Sequence, residues 1–217
     1  MHDLLPIDLV IFDMDGVIFE GANFWLELHR AVGTEAEAWA LWNVYGRTDY
    51  ARLSKITVEK VWRGRDAGSF FDLIRSRRYV SGAPELVEWL RARGIQTAIV
   101  SSGPYQLAER AQGELGIDRV LANRVLISDH RFAGTVEVSV DENHKDEAAL
   151  RIIKDLEVRP ERVAIIGDSV ADVQMAKVVG LSLAYDPDPE MAAAAYTILP
   201  AGHLRDAARV IESWRPN

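Results

Sequence analysis

Two aspartates one residue apart, Asp13 and Asp15, close the apolar run Leu9-Val10-Ile11-Phe12 and stand just before Gly16. β-Branched and aromatic residues in such a run predict a buried strand ending at Asp13, with Gly16 giving the backbone freedom for a turn. Carboxylates at the end of a buried strand suffer desolvation and mutual repulsion, and a divalent cation relieves both. Asp-x-Asp at a strand end is therefore a candidate magnesium site with chemistry attached; the plain alternative is an acidic turn. Other polar groups recur at similar junctions. Ser101-Ser102-Gly103 follows the run Ile95–Val100 and could hold a phosphate on hydroxyls and free N–H groups, or simply cap a helix. Asp168 and Asp172, four apart in Gly167-Asp168-Ser169-Val170-Ala171-Asp172, can reach one cation. They also read as a cap aspartate and a dipole-favoured aspartate. Lys145 opens a helix, where a cation is poorly placed for the macrodipole, so a compensating role competes with a solvated lysine.

These junctions require a scaffold of alternating strands and helices. From residue 81 onward the pattern supplies one. Helices are predicted over Glu85–Arg93, Pro104–Leu115, Lys145–Leu156, Ala171–Val179 and Leu204–Trp214. Strands are predicted over Ile95–Val100, Val120–Ala122, Val163–Ile166, Leu181–Tyr185 and Tyr196–Leu199, with a hairpin of Val125–Ile127 and Phe132–Val138. Such alternation makes a parallel sheet with helices on both faces, and ligands bind beyond its carboxyl strand ends. Between Glu20 and Arg78 only helical spacing recurs, giving three or four short helices that hold four of the six tryptophans. Those aromatics form a small helical core, or else a substrate pocket or dimer face. Ser81-Gly82-Ala83-Pro84 is a plausible hinge. The arginines at 75, 77 and 78 read as a solvated helix face.

Composition narrows the function. The chain has 217 residues, is 48% hydrophobic, and carries a formal net charge of −8, which argues against general nucleic-acid or anionic-membrane binding. It has no cysteine, which removes thiolate metal sites and a cysteine-phosphate mechanism. The start of the chain has no signal-like pattern and no window is apolar enough to span a membrane, so a cytoplasmic protein is expected. Its five histidines are scattered without metal-ligand spacing.

Taken together, Asp13-x-Asp15, Ser101, Lys145 and Gly167-Asp168-x-x-x-Asp172 resemble the haloacid dehalogenase superfamily over essentially the whole chain. The resemblance implies an α/β fold: a Rossmann-like core of residues 1–18 and 81–217 with an inserted helical cap of residues 19–80. It implies Asp13 as nucleophile and Asp15 as general acid/base. Ser101, Ser102 and Lys145 would hold the phosphoryl group. Asp13, Asp15 and Asp168 would hold Mg²⁺, with Asp172 and Gly16 supporting. The second aspartate points to phosphoryl transfer, hence to a phosphatase acting through an aspartyl-phosphate on a small phosphorylated metabolite, as monomer or homodimer. A phosphomutase with the same chemistry and a non-catalytic binding protein are the alternatives. Ala122-Asn123-Arg124, the Phe132-Ala133-Gly134 hairpin and Asn143-His144-Lys145 look like the phosphoserine phosphatase branch. Departures stand beside them. Gly16-Val17 replaces that branch's Ser-Thr; its cap glutamate falls near Ala22, with Glu20 close by; its cap arginine falls near Thr57. Glu20 and Arg63 are the candidate cap contacts, and phosphoserine is one candidate substrate.

Overall fold

The computed structural model describes residues 6–21 and 23–215; Ala22 lies outside the described residues. Strands β1 (Leu9–Phe12), β2 (Gln96–Pro104), β3 (Arg119–Ser128), β4 (Arg131–Glu137), β5 (Val163–Gly167), β6 (Leu181–Tyr185) and β7 (Thr197–Leu199) form one sheet, in the order β4-β3-β2-β1-β5-β6-β7. Only the β3–β4 pair is antiparallel. The fold is therefore α/β with a Rossmann-like, mostly parallel sheet. β1 lies at its centre, in register with β2 from Leu9–Gln96 to Phe12–Ile99 and with β5 from Leu9–Val163 to Phe12–Ile166.

The strand has this place because every residue of it is apolar and both its faces are covered. Val10 and Phe12 join a core cluster with Phe24, Leu86, Leu107 and Ile211, while Leu9 and Ile11 join another with Ile152, Ile153 and Met175. The covering helices are α5 (Ala83–Arg91), α6 (Tyr105–Leu115), α7 (Lys145–Asp155), α8 (Val173–Ala176), α9 (Pro189–Ala194) and α10 (Ala207–Ser213). Between β1 and α5 lie α1 (Phe24–Ala31), α2 (Glu35–Tyr45), α3 (Tyr50–Ile56), a π-helical turn at Thr57–Trp62 and α4 (Gly68–Ser76). This helical segment rests on the β3–β4 hairpin. Gly64 N–H donates to Phe132 O and Ala67 N–H to His130 O, and the Trp62 and Phe132 rings lie 5.4 Å apart. No helix among the described residues is long and apolar enough to cross a membrane.

Several boundaries differ from the sequence expectation. Residues 119–128 form one continuous strand, which pairs with β2 through its first half and with β4 through its second. The helix expected over Ala171–Val179 is a 3₁₀ turn at Val170–Asp172 followed by the single turn of α8. Helix α9, with Asp188 accepting from Met191 N–H as its cap, lies in a stretch where no helix was expected. The basic run is not a uniformly solvated face either: Arg75 and Arg78 are exposed, but Arg77 is only 6% exposed.

Candidate active site

The carboxyl end of β1 carries Asp13, whose N–H donates to Ile166 O of β5. That bond fixes the backbone just where the chain leaves the sheet. Lys145, the first residue of α7, reaches the same point from the neighbouring loop. Its Nζ lies 2.8 Å from Asp13 Oδ1 and 2.8 Å from Asp172 Oδ1, and all three residues are buried. Asp172 Oδ2 accepts the N–H groups of Asp168 and Ser169 at 3.0 and 3.1 Å. Both oxygens of Asp172 are therefore engaged, and it acts as a brace that holds Lys145 against Asp13.

Carboxylate atoms of Asp13, Asp168 and Asp172 lie within 4.8 Å of one another. Two glycines allow this approach. A Cβ on Gly16, whose φ is +81°, would meet Asp168 Oδ2 at 2.3 Å; one on Gly167 would meet Asp172 Cβ at 2.5 Å. Three carboxylates facing one ammonium leave two negative charges, and hard oxygen donors with that charge suit a divalent cation. Asp13 and Asp168 would supply the oxygens, since Asp172 is occupied. The carboxylate of Asp15 is not part of this cluster. Asp15 turns towards the helical segment, where the Phe24 N–H and the Arg77 guanidinium face it.

The electrostatics follow from the geometry. Burial first, then the charge of Asp172, push Asp13 well up from the ordinary carboxylate range, against the opposing pull of Lys145. Burial and Asp172 raise Asp168 to about 7. Burial alone would lower Lys145, but Asp13, Asp172 and Glu142 together outweigh it and hold the ammonium charged. Asp15 is raised to about 6 by burial, with the Phe24 N–H and the charge of Arg77 pulling the other way. Asp15 Oδ2 accepts from Phe24 N–H at 2.9 Å, which anchors the start of α1. Its Oδ1 is buried with no hydrogen-bond partner among the described residues and sits 3.8 Å from Arg77 Nη1. A buried carboxyl titrating near neutrality with one free oxygen is equipped to give and take a proton.

Arg77 is the residue that sequence reasoning misplaced. Its Nη1 donates to Glu20 O at 2.7 Å and its Nη2 pairs with Glu27 at 2.9 Å. Ser101 is buried close to the cluster; its Oγ accepts from Gly103 N–H at 3.0 Å, beside Asp15. Ser102 does not present its hydroxyl to the same point, because that group donates to Glu142. The Ser102 carbonyl is instead a junction between segments, accepting from Trp25 Nε1 (2.9 Å), Tyr50 Oη (3.3 Å) and Asn123 Nδ2 (3.0 Å). Glu20 is exposed, pairs with Arg78, and lines an acidic groove of about 470 Å³ together with Gly16, Asp168 and Asp186. Arg63 lies over Gly134 of the hairpin and is not brought to the acidic cluster. Glu142 was not singled out, and no local pattern marks its bond to Ser102; Trp25 was among the aromatics read as helical core, substrate pocket or dimer face, but its bond to the Ser102 carbonyl joins distant parts of the chain.

A family model described as haloacid dehalogenase-like hydrolase matches residues 7–180. A phosphoserine phosphatase of Methanocaldococcus jannaschii is 26% identical over 94% of this chain and 97% of its own length. One from Idiomarina loihiensis is 28% identical over 86% of each chain. A solved structure of a phospho-aspartyl intermediate analogue of phosphoserine phosphatase has a TM-score of 0.78, is 24% identical, and covers 96% of this chain and 99% of the other.

Proposed function

Since the chain belongs to the haloacid dehalogenase-like hydrolases, we propose that it is a Mg²⁺-dependent phosphomonoester phosphatase working through Asp13 on a small phosphorylated metabolite. The observation that carries this reading is the buried cluster of Asp13, Lys145, Asp168 and Asp172 with Asp15 beside it. The relatives named for phosphoserine support the reaction class. Residues 19–80 are taken as the cap over a core of residues 1–18 and 81–217.

An Asp13 oxygen attacks phosphorus and the bond to the ester oxygen breaks, splitting one hard displacement into two easier ones. Asp15, protonated, gives its proton to the departing alkoxide; as carboxylate it then takes a proton from the water that attacks the aspartyl-phosphate. Inorganic phosphate leaves and both aspartates return to their starting states. Lys145 offsets the charge on Asp13 and on the phosphoryl oxygens, and the Ser101 hydroxyl supplies a donor to them. Bound by Asp13 and Asp168, a Mg²⁺ ion would supply further charge neutralisation for the transferring group. Asp172 keeps Lys145 in place.

The test is phosphate release from p-nitrophenyl phosphate, with Mg²⁺ or with chelator, for wild type and Asp13→Asn. Turnover that needs Mg²⁺ and vanishes in the variant is expected. Turnover that survives in well-folded Asp13→Asn would remove Asp13 as nucleophile, and no release by wild type from any ester would overturn the phosphatase reading.

A further inference from the structure

Beside Ser102, the helical segment and the β3–β4 pair line a cavity of about 220 Å³. Trp25, Trp39, Trp42, Tyr50 and Trp62 form much of its wall, and Glu142 stands at its edge. Three links tie its wall to the reacting groups. Trp25 and Tyr50 both bond the Ser102 carbonyl, next in chain to Ser101. Asn23 and Trp25, which line the cavity, flank Phe24, whose N–H holds Asp15. Glu142 lies close enough to Lys145 for its charge to help hold the ammonium.

The charge of this cavity is one-sided. Among the described residues no lysine or arginine lines it, and Glu142 is the one acidic residue in its lining. His29, the lining group that could become cationic, is pushed down to about 4 by burial and is neutral at pH 7. The acidic groove lined by Glu20, Asp168 and Asp186 has no lysine or arginine among its described lining residues either. An alcohol with a carboxylate, such as serine, would lose its hydration here, gain no counter-ion and face Glu142. Aromatic faces with one carboxylate suit the opposite kind of head: a cation with apolar substituents gains from the ring quadrupoles and from Glu142 together.

We propose that this cavity seats the leaving alcohol and selects one bearing a cationic, carboxylate-free head, of which a quaternary ammonium is the extreme case. Trp25, Trp42, Tyr50 and Glu142 are then its specificity-determining residues. The inference rests on the phosphatase reading given above. The reaction is unchanged: the ester bond to phosphorus breaks, and Asp15 protonates the amino alcohol as it leaves.

The experiment compares kcat and KM of the full chain, with Mg²⁺, on phosphocholine, its uncharged isostere 3,3-dimethylbutyl phosphate, phosphoserine and p-nitrophenyl phosphate. Phosphocholine is expected to exceed the isostere by about 10-fold in kcat/KM, mainly through KM, and to exceed phosphoserine by more, as cation–aromatic and carboxylate contacts allow. Glu142→Gln should bring phosphocholine and the isostere together. Choline should quench the tryptophan fluorescence of Asp13→Asn, and do so more weakly once Glu142→Gln is added. An isostere hydrolysed as well as phosphocholine, or phosphoserine as the preferred ester, overturns the inference. Turnover of p-nitrophenyl phosphate with none of the other three overturns it while leaving the phosphatase reading in place; no turnover of any ester overturns both.

Discussion

Asp13 and Asp15 are separated by a single residue yet hold different electrostatic positions. Asp13 is paired with a charged lysine, which opposes the rise that burial and Asp172 impose on it. Asp15, raised to about 6, has only an N–H and a more distant guanidinium to hold its charge. A difference in leaving-group dependence follows. Asp15→Asn is expected to lower kcat/KM on alkyl phosphates by about 10²–10⁴-fold, the usual worth of a positioned acid, and to spare kcat/KM on p-nitrophenyl phosphate, whose phenolate departs without a proton, while kcat falls on both because hydrolysis of the aspartyl-phosphate loses its base. Values of kcat/KM on the two ester classes check this, and equal losses of kcat/KM would remove Asp15 as the acid. The convergence of Asp13, Lys145, Asp168 and Asp172 was legible because each sits at a junction that local pattern reveals. Arg77 was not. Its burial depends on Glu20 and Glu27, far away along the chain, so its immediate neighbours Arg75 and Arg78 gave the wrong impression of its surroundings.

Among the elements, the turn after β1 has the least tolerance. Gly16 combines a left-handed backbone with an approach to Asp168 that leaves no room for a methyl group. Gly16→Ala is therefore expected to push Asp168 aside and raise the Mg²⁺ concentration for half-maximal activity by about 10–100-fold, the scale of effects on groups that orient metal ligands. A metal titration of activity would show it, and unchanged metal dependence would mean the turn can relax. Strand–helix alternation was readable because both faces of β1 are covered, making a continuous apolar run. Periodicity did not report where elements stop. The apolar residues after Asp172 continue at helical spacing, but α8 is held to one turn, and the join of two half-strands into β3 depends on which partner each half finds.

For the whole molecule, gathering these acids carries a pH signature. Asp168 at about 7 and Asp15 at about 6 bind protons that the unfolded chain, with carboxyls near about 4, has already released. Without metal, their contribution to stability is therefore greatest below about pH 4 and declines as pH rises to about 7. His29, lowered to about 4, works in the opposite direction between about 4 and 6.5. Comparing wild type with Asp168→Asn cancels that term. The variant is expected to melt above metal-free wild type at pH 7.5, to match it near pH 4, and to lose most of the rise in Tm that Mg²⁺ gives wild type at pH 7.5. Thermal melts at the two pH values test this; a variant that melts lower at both would show that Asp168 is held by favourable contacts. The strand order also bears on biosynthesis. β1 is made first, but its two flanking strands begin only at Gln96 and Val163, and Lys145 lies 132 residues beyond Asp13. A chain emerging from the ribosome must hold its first strand unpaired while the helical segment collapses, and no nascent chain that stops short of residue 172 contains the assembled cluster. Catalysis thus waits on synthesis at least as far as Asp172, which keeps a shorter nascent chain from acting on phosphate esters before it has folded.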